Sequence, residues 1–434
     1  MTSLRLGAPV PRHAVARMPG DKSISHRAVL LAALAHGTTI VCNLNAGDDV
    51  ARSLRAARSL GAGVETADDD MRIVGIRGDP RIAGTIDCGN SGTTMRMLMG
   101  LLAGRGAAVL DGDAALRRRP MERVAEPLRR MGADVRATPG GTAPVRVRLA
   151  PRPLRGIDYE MPVPSAQLQS ALLLAGLDAD GMTRVRSPLP CRDHTARLLQ
   201  AMGARIQSSA LSVAVERSRL QAIERLEVPG DVSAAAFFLC AAAAMPQSCL
   251  RIDDVGFNPT RSAALKAMQA MGAALSIGNE RCAGFEPRAD VTIAGGSELH
   301  NFSLDPQDVP NLIDDIPALC ALAAVAQGRF QVRGADELRT KESDRIATIV
   351  DLLARFGVGV TATRDGLVVS GGAALRAPAA VSTHGDHRIG MMAAVLAVAA
   401  RAPIRIDDAE CIGTSFPGFK DAWAHAFLAG EHPA

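Results

Sequence analysis

Met18-Pro19-Gly20-Asp21-Lys22-Ser23 returns later in the chain as Val228-Pro229-Gly230-Asp231-Val232-Ser233, and in both places the loop opens into an Ala-rich, helix-favouring run. Similar polar loops lead into apolar runs near Asn90, Ser165, Asp314 and Asp386, so the same start is used three times in each half of the 434-residue chain. The sequence therefore reads as two related halves, each threefold.

A second series interleaves with the first: Leu60-Gly61-Ala62, Met131-Gly132-Ala133, Met202-Gly203-Ala204, Met271-Gly272-Ala273 and Phe356-Gly357-Val358. Each tag reads as a helix that closes on glycine before a strand, because glycine takes the positive φ of a helix C-terminus without steric cost. The tags recur at intervals of roughly 70 residues, the length of one α/β unit repeated along the chain. Gly-Ala pairs also arise by chance in an Ala-rich chain with 41 glycines, but chance does not keep two series in phase. The apolar runs are more uniform than an amphipathic surface helix, which predicts helices buried in the middle of each half with sheets packed around them.

Composition narrows the function. The chain is 47% hydrophobic with mean hydropathy +0.10, enough to bury large cores. Its net charge of +4 is too weak a field to argue for nucleic acid or membrane partners. Aromatic residues at 3% supply few base-stacking platforms. Cys42, Cys88, Cys191, Cys240, Cys249, Cys282, Cys320 and Cys411 form neither a CxxC pair nor a regular framework, and read as reduced, mostly buried thiols. Met1 to Val10 has no basic segment followed by a long apolar one, and later apolar runs are broken before spanning length, so a soluble cytoplasmic protein is expected.

If the buried helices run parallel, their N-termini gather at one face of each half, and their unpaired N–H groups favour anions there. Lys22, Arg27, Arg96, Arg119, Arg192, Lys341, Arg345 and Arg388 lie at or beside those starts. Any one of them alone reads as a surface cation; their shared placement asks for a substrate with several phosphates or carboxylates. Asp314, Glu342 and Asp386 accompany them, and a carboxylate among cations can serve as a general base. Helix capping competes as the explanation of Asp314 and Asp386. No HExxH or Cys/His cluster argues for a metal, Asp68-Asp69-Asp70 reads as a solvated turn, and no dinucleotide fingerprint follows a strand. Ser23, Ser165 and Cys411 show no base partner, so the chemistry reads as electrostatic and acid–base rather than covalent.

Pro19-Gly20-Asp21-Lys22-Ser23-Ile24-Ser25-His26-Arg27-Ala28 resembles the N-terminal signature of the 5-enolpyruvylshikimate-3-phosphate synthases. Gly89-Asn90-Ser91-Gly92-Thr93-Thr94-Met95-Arg96 resembles that family's phosphoenolpyruvate loop, Arg117-Arg118-Arg119-Pro120-Met121 its arginine–proline segment, and Pro164-Ser165-Ala166-Gln167 its shikimate-phosphate loop. Ile313-Asp314, Lys341-Glu342-Ser343-Asp344-Arg345 and Asp386-His387-Arg388 are similar to its base, proton-relay and phosphate-clamp motifs.

The resemblance implies the enolpyruvyl transferase fold, a two-domain inside-out α/β barrel in which each domain is three βαβαββ units with buried parallel helices. Residues 21–228 would form the N-terminal, shikimate-3-phosphate-side domain and residues 1–20 plus 229–434 the C-terminal one, with the substrate cleft between them. It implies that shikimate 3-phosphate is held by Lys22, Ser23, Arg27, Ser165, Ala166, Gln167, Arg192, Asp314 and Lys341. Phosphoenolpyruvate would be held by Lys22, Gly92, Arg119, Gln167, Arg345 and Arg388. Catalysis would fall to Asp314, Lys341, Glu342 and Lys22, with no metal or organic cofactor, in a monomer. The sequence departs from some family members at Thr414, where they carry Lys, and near Arg192, where a substrate-site Tyr is replaced. The rival readings are a UDP-N-acetylglucosamine enolpyruvyl transferase, against which Lys22-Ser23 and the lack of a loop cysteine argue, and a non-catalytic anion-binding module of the same fold.

Overall fold

The computed structural model describes residues 3–81, 84–150, 153–372 and 374–428. The chain divides into two compact units: an N-terminal unit of Gly20–Val228 with Gly284–Glu286, and a C-terminal unit of Met1–Pro19, Pro229–Ala283 and Pro287–Ala434.

The N-terminal unit carries helices α1 (Lys22–Leu34), α2 (Asp48–Ser59), α3 (Gly92–Leu102), α4 (Glu122–Arg130), α5 (Ala166–Gly176) and α6 (His194–Ala201). α1, α3 and α5, the uniformly apolar runs, are buried over nearly their whole length, whereas α2 and α4 bury one face only. Each buried helix follows one strand and leads to a second that pairs parallel with the first: Thr85–Asp87 with Ala108–Asp111 around α3, and Asp158–Glu160 with Thr183–Arg186 around α5. A hairpin then completes each sheet in antiparallel register, giving β-α-β-α-β-β. The sheet around α1 obtains its first strand from the far end of the unit, where Arg225–Glu227 pairs parallel with Thr38–Cys42.

The C-terminal unit carries α7 (Val232–Ala244), α8 (Ala263–Ala270), α9 (Val309–Leu312), α10 (Ile316–Ala323), α11 (Arg345–Arg355), α12 (His387–Ala399) and α13 (Phe419–Phe427). α7, α10 and α12 are its buried helices. Its first sheet takes its leading strand from the chain's beginning, His13–Arg17 paired parallel with Cys249–Gly256. Two departures from the sixfold pattern follow. The leading strand of the second sheet shrinks to bridges at His300–Gln327 and Ser303–Gln331. In the last copy, among the described residues, no hairpin follows Ile404–Asp407; Leu4–Leu6 pairs with that strand instead. α13 covers the same sheet region, placing Phe419, Trp423 and Phe427 around Phe238 of α7 at ring-centroid distances of 5.9, 4.9 and 6.0 Å. Much of the chain's sparse aromatic surface is used here as core.

The glycine tags close the amphipathic helices as read. Gly61, Gly132, Gly203, Gly272 and Gly357 all have positive φ, between 80° and 103°. Nothing within 4 Å would obstruct a Cβ at Gly132. Its requirement is therefore conformational, not steric.

Candidate active site

In the N-terminal unit the starts of the buried helices are capped by side chains from the repeated loops. Asp21 accepts from the Ile24 N–H at 2.8 Å, Ser91 from Thr94 at 3.2 Å and Ser165 from Leu168 at 3.4 Å. Lys22, Gly92 and Ala166 are thereby the first helical residues of α1, α3 and α5.

Side chains from these first turns bind one another. Gln167 accepts from Arg96 Nη1 at 2.5 Å and donates to Thr93 Oγ1 at 3.0 Å, joining α5 to α3. Arg27, buried, donates to Ser23 O (2.8 Å), Ser170 Oγ (3.0 Å) and Thr195 Oγ1 (2.7 Å), joining α1 to α5 and α6. Lys22 Nζ lies 3.1 Å from Asp49, and Arg119 Nη2 donates to Asn90 Oδ1 at 2.8 Å. A Cβ at Gly92 would stand 2.8 Å from Arg96 Nη1 and 3.3 Å from Arg119 Nη1, so glycine is what lets both guanidinium groups close on the start of α3. Arg192 lies half-buried on the loop into α6.

Behind this cationic face His26 is fully enclosed, its Nδ1 2.8 Å from Ser53 Oγ, which in turn meets Thr94 Oγ1 at 2.8 Å. Burial first, then the charges of Lys22 and Arg27, hold its pKa well below the ordinary histidine value of 6.5, so the ring is neutral. It ties α1, α2 and α3 together without adding to the positive charge.

The C-terminal unit gathers a second cluster, and this one is mixed in sign. Asp314 Oδ1 lies 3.3 Å from Arg345 Nη1 and 3.9 Å from both Lys341 Nζ and Arg388 Nε. Arg345, only 1% exposed, also donates to Asp386 (Nε to Oδ2, 2.8 Å) and to Glu342 (Nη2 to Oε2, 2.5 Å). Burial alone would lower the pKa of this guanidinium, but Asp386, Glu342 and Asp314 more than reverse that and raise it. Arg388 Nη1 donates to the main-chain oxygen of Asp314 at 2.6 Å, tying the first turn of α12 to the segment that precedes α10.

The competition between capping and chemistry resolves differently for the two aspartates. Asp386 does both, accepting from the Arg388 N–H at 3.0 Å while holding Arg345. Asp315, not Asp314, occupies the position before α10, and the Asp314 carboxylate faces the cations Arg345, Lys341 and Arg388. Thr414 sits in a short 3-10 turn with its hydroxyl donated to Cys411 O at 2.7 Å. Reading the sequence alone missed Asp49 and Thr93, which partner Lys22 and Gln167, and the buried group Ser233, Arg261 and Asp315. Ser233 carried a signal as the counterpart of Ser23 in the second Pro-Gly-Asp loop, and Thr93 lies inside the Gly89–Arg96 loop motif.

Comparison with known proteins finds related sequences and structures. The family described as EPSP synthase (3-phosphoshikimate 1-carboxyvinyltransferase) matches residues 9–423. The chain is 46% identical over 404 residues to the 3-phosphoshikimate 1-carboxyvinyltransferase of Anaeromyxobacter sp. strain Fw109-5, covering 93% of each chain. Identity to that of Halorhodospira halophila is 45% over 411 residues, 94% of this chain and 92% of the relative. Among solved structures, EPSP synthase from Acinetobacter baumannii superposes with a TM-score of 0.86 at 38% identity, covering 98% of both chains. The enolpyruvyl transferase NikO from Streptomyces tendae, at 16% identity with a TM-score of 0.75 over 98% of this chain and 97% of its own, shares the fold.

Proposed function

The chain belongs to the EPSP synthase (3-phosphoshikimate 1-carboxyvinyltransferase) family, and from that membership we propose that it transfers the enolpyruvyl group of phosphoenolpyruvate to the 5-hydroxyl of shikimate 3-phosphate, releasing phosphate. The observation that carries the reading is the setting of Asp314, a carboxylate within 4 Å of Lys341, Arg345 and Arg388. Asp314, with Lys341 beside it, takes the 5-hydroxyl proton as that oxygen attacks C2 of phosphoenolpyruvate. C3 gains a proton, for which Glu342 is the carrier, and a tetrahedral adduct forms. Loss of a proton from the new methyl group with departure of phosphate restores the double bond. Fixed cations stabilise the charge on the leaving phosphate.

Lys22, Ser23, Arg27, Ser165, Ala166, Gln167 and Arg192 are assigned to shikimate 3-phosphate, with Asp314 and Lys341 acting at its 5-hydroxyl. Lys22, Gly92, Arg119, Gln167, Arg345 and Arg388 are assigned to phosphoenolpyruvate. In support, Gln167 and Arg96 are hydrogen-bonded at the start of α3, where Gly92 lets the Arg96 and Arg119 guanidinium groups approach the helix N-terminus, a setting that favours an anion. The test is phosphate release from phosphoenolpyruvate in chelating buffer, with shikimate 3-phosphate or UDP-N-acetylglucosamine as acceptor. Release that requires shikimate 3-phosphate and collapses in Asp314→Ala is expected. Release supported only by the nucleotide sugar, or by neither acceptor, refutes the assignment.

A further inference from the structure

Asp315 is fully buried, directly behind Asp314 in the chain. It stands where α10 begins, yet its carboxylate makes no capping bond to that helix. Its Oδ1 accepts instead from Ser233 Oγ, in the first turn of α7, and lies 3.9 Å from Arg388 Nη1, in the first turn of α12. Its Oδ2 faces Arg261 Nη1 at 3.8 Å. Arg261, itself buried, donates to Ser233 Oγ at 2.7 Å and lies 3.8 Å from Asp231 Oδ1, the carboxylate that caps α7. One hydroxyl thus accepts from a guanidinium and donates to a carboxylate, joining the starts of α7, α10 and α12.

Such a group is a poor means of making a core stable. Taking charges out of water is costly, and a well-packed apolar replacement commonly does as well or better. Burial pushes the Asp315 carboxyl above the usual carboxylate range, a tendency that Arg261 and Arg388 oppose. What the arrangement does supply is orientation. Arg388 Nη1 donates to the main-chain oxygen of Asp314 at 2.6 Å, and the Asp315 carboxylate lies 3.9 Å from the same nitrogen. We propose that Asp315 is a positioning residue for enolpyruvyl transfer, holding Arg388 and the Asp314 peptide in place through Ser233 and Arg261. The inference rests on the assignment of Arg388 to phosphoenolpyruvate. It adds to that assignment a charged residue that touches no substrate and yet governs the affinity for one of the two.

The test is steady-state kinetics of Asp315→Asn, Ser233→Ala and Arg388→Lys, with thermal unfolding of each. Asp315→Asn keeps the shape and removes the charge. It is expected to raise KM for phosphoenolpyruvate about tenfold, within the range of coupling between contacting residues, and to leave KM for shikimate 3-phosphate within about twofold. Combined with Arg388→Lys it adds little further, because both changes act through the same guanidinium. A merely structural Asp315 would lower the unfolding temperature and leave the two KM values in their original ratio, and that result overturns the inference. Should Asp315→Asn fail to fold, Ser233→Ala carries the test, with the same selective rise expected and an unchanged KM ratio counting against the inference. If Arg388→Lys itself leaves KM for phosphoenolpyruvate unchanged, the assignment of Arg388 fails, and the inference falls with it.

Discussion

Replacing Asp386 separates two jobs that one carboxylate performs. Asp386 receives Arg345 Nε at 2.8 Å and Ser343 Oγ at 3.0 Å, and it caps α12 by accepting from the Arg388 N–H at 3.0 Å. Asp386→Asn keeps a capping oxygen and removes the charge opposite a guanidinium that is 1% exposed. Breaking a buried pair from one side costs about 3–5 kcal/mol. Asp314 and Glu342 remain beside Arg345, so the low end, ~3 kcal/mol, is expected. Asp386→Ala loses the cap as well, a further ~1 kcal/mol. For a unit of this size the Asn change corresponds to a fall of about 6–12 °C in unfolding temperature. Trp423, the chain's one tryptophan, is buried in the C-terminal unit, so its fluorescence in urea reports unfolding of the unit concerned. Both variants should also lose turnover, since Arg345 positions Asp314 and Glu342. A loss below about 1 kcal/mol in the Asn variant, with the Ala variant falling only by the cost of a cap, would show that the buried pair anchors nothing.

Gly92→Ala should raise KM for phosphoenolpyruvate about tenfold while changing stability by less than ~1 kcal/mol, because the new methyl displaces Arg96 and Arg119 but suits a helix start; unchanged kinetics would refute the packing argument. His26 should make the fold acid-sensitive. Its folded pKa is depressed, so as pH falls below about 6.5 the unfolded chain takes up the proton first, and stability present above that value is lost. Urea midpoints of wild type and His26→Gln between pH 7.5 and 5.5 should therefore diverge, and parallel slopes would count against the assignment. Thiol labelling of the native protein should begin at exposed Cys282, whereas Cys88, pushed up to about 12 by burial and nearby Asp87 and Asp111, should react only on unfolding; early labelling at Cys88 would contradict the burial.

The periodic features were legible because each rests on a local backbone demand. A glycine at positive φ and an apolar run too uniform for a surface helix are visible without a partner, and both recur in the structure at Gly61 to Gly357 and in α1, α3, α5, α7, α10 and α12. The borrowed strands were not legible. Arg225–Glu227 and Leu4–Leu6 are three residues each, too short to show alternation, and their places are set by partners far along the chain. The cations of the site stood out by their position beside helix starts. Of their counter-ions, Asp314, Glu342 and Asp386 stood out in the same way, whereas Asp49 and Asp315 differ from surface aspartates only in what the fold packs against them.

The two clusters also differ in charge, and one of the differences lies in the repeated loop. Where the first copy has Lys22 after the capping Asp21, the second has Val232 after Asp231. In the N-terminal unit the helix starts therefore present Lys22, Arg27, Arg96 and Arg119 with Asp49 beside them, an excess of positive charge suited to gripping a phosphate. In the C-terminal unit the Val232 start is buried, and the charged groups are Lys341, Arg345 and Arg388 against Asp314, Glu342 and Asp386. The Asp314 carboxylate stands among Lys341, Arg345 and Arg388, with Glu342 and Asp386 sharing Arg345. On the proposed assignments, the same α/β unit serves substrate binding in one half and acid–base chemistry in the other. The division predicts that neutralising Lys22 weakens substrate binding first, while neutralising Lys341 lowers turnover first.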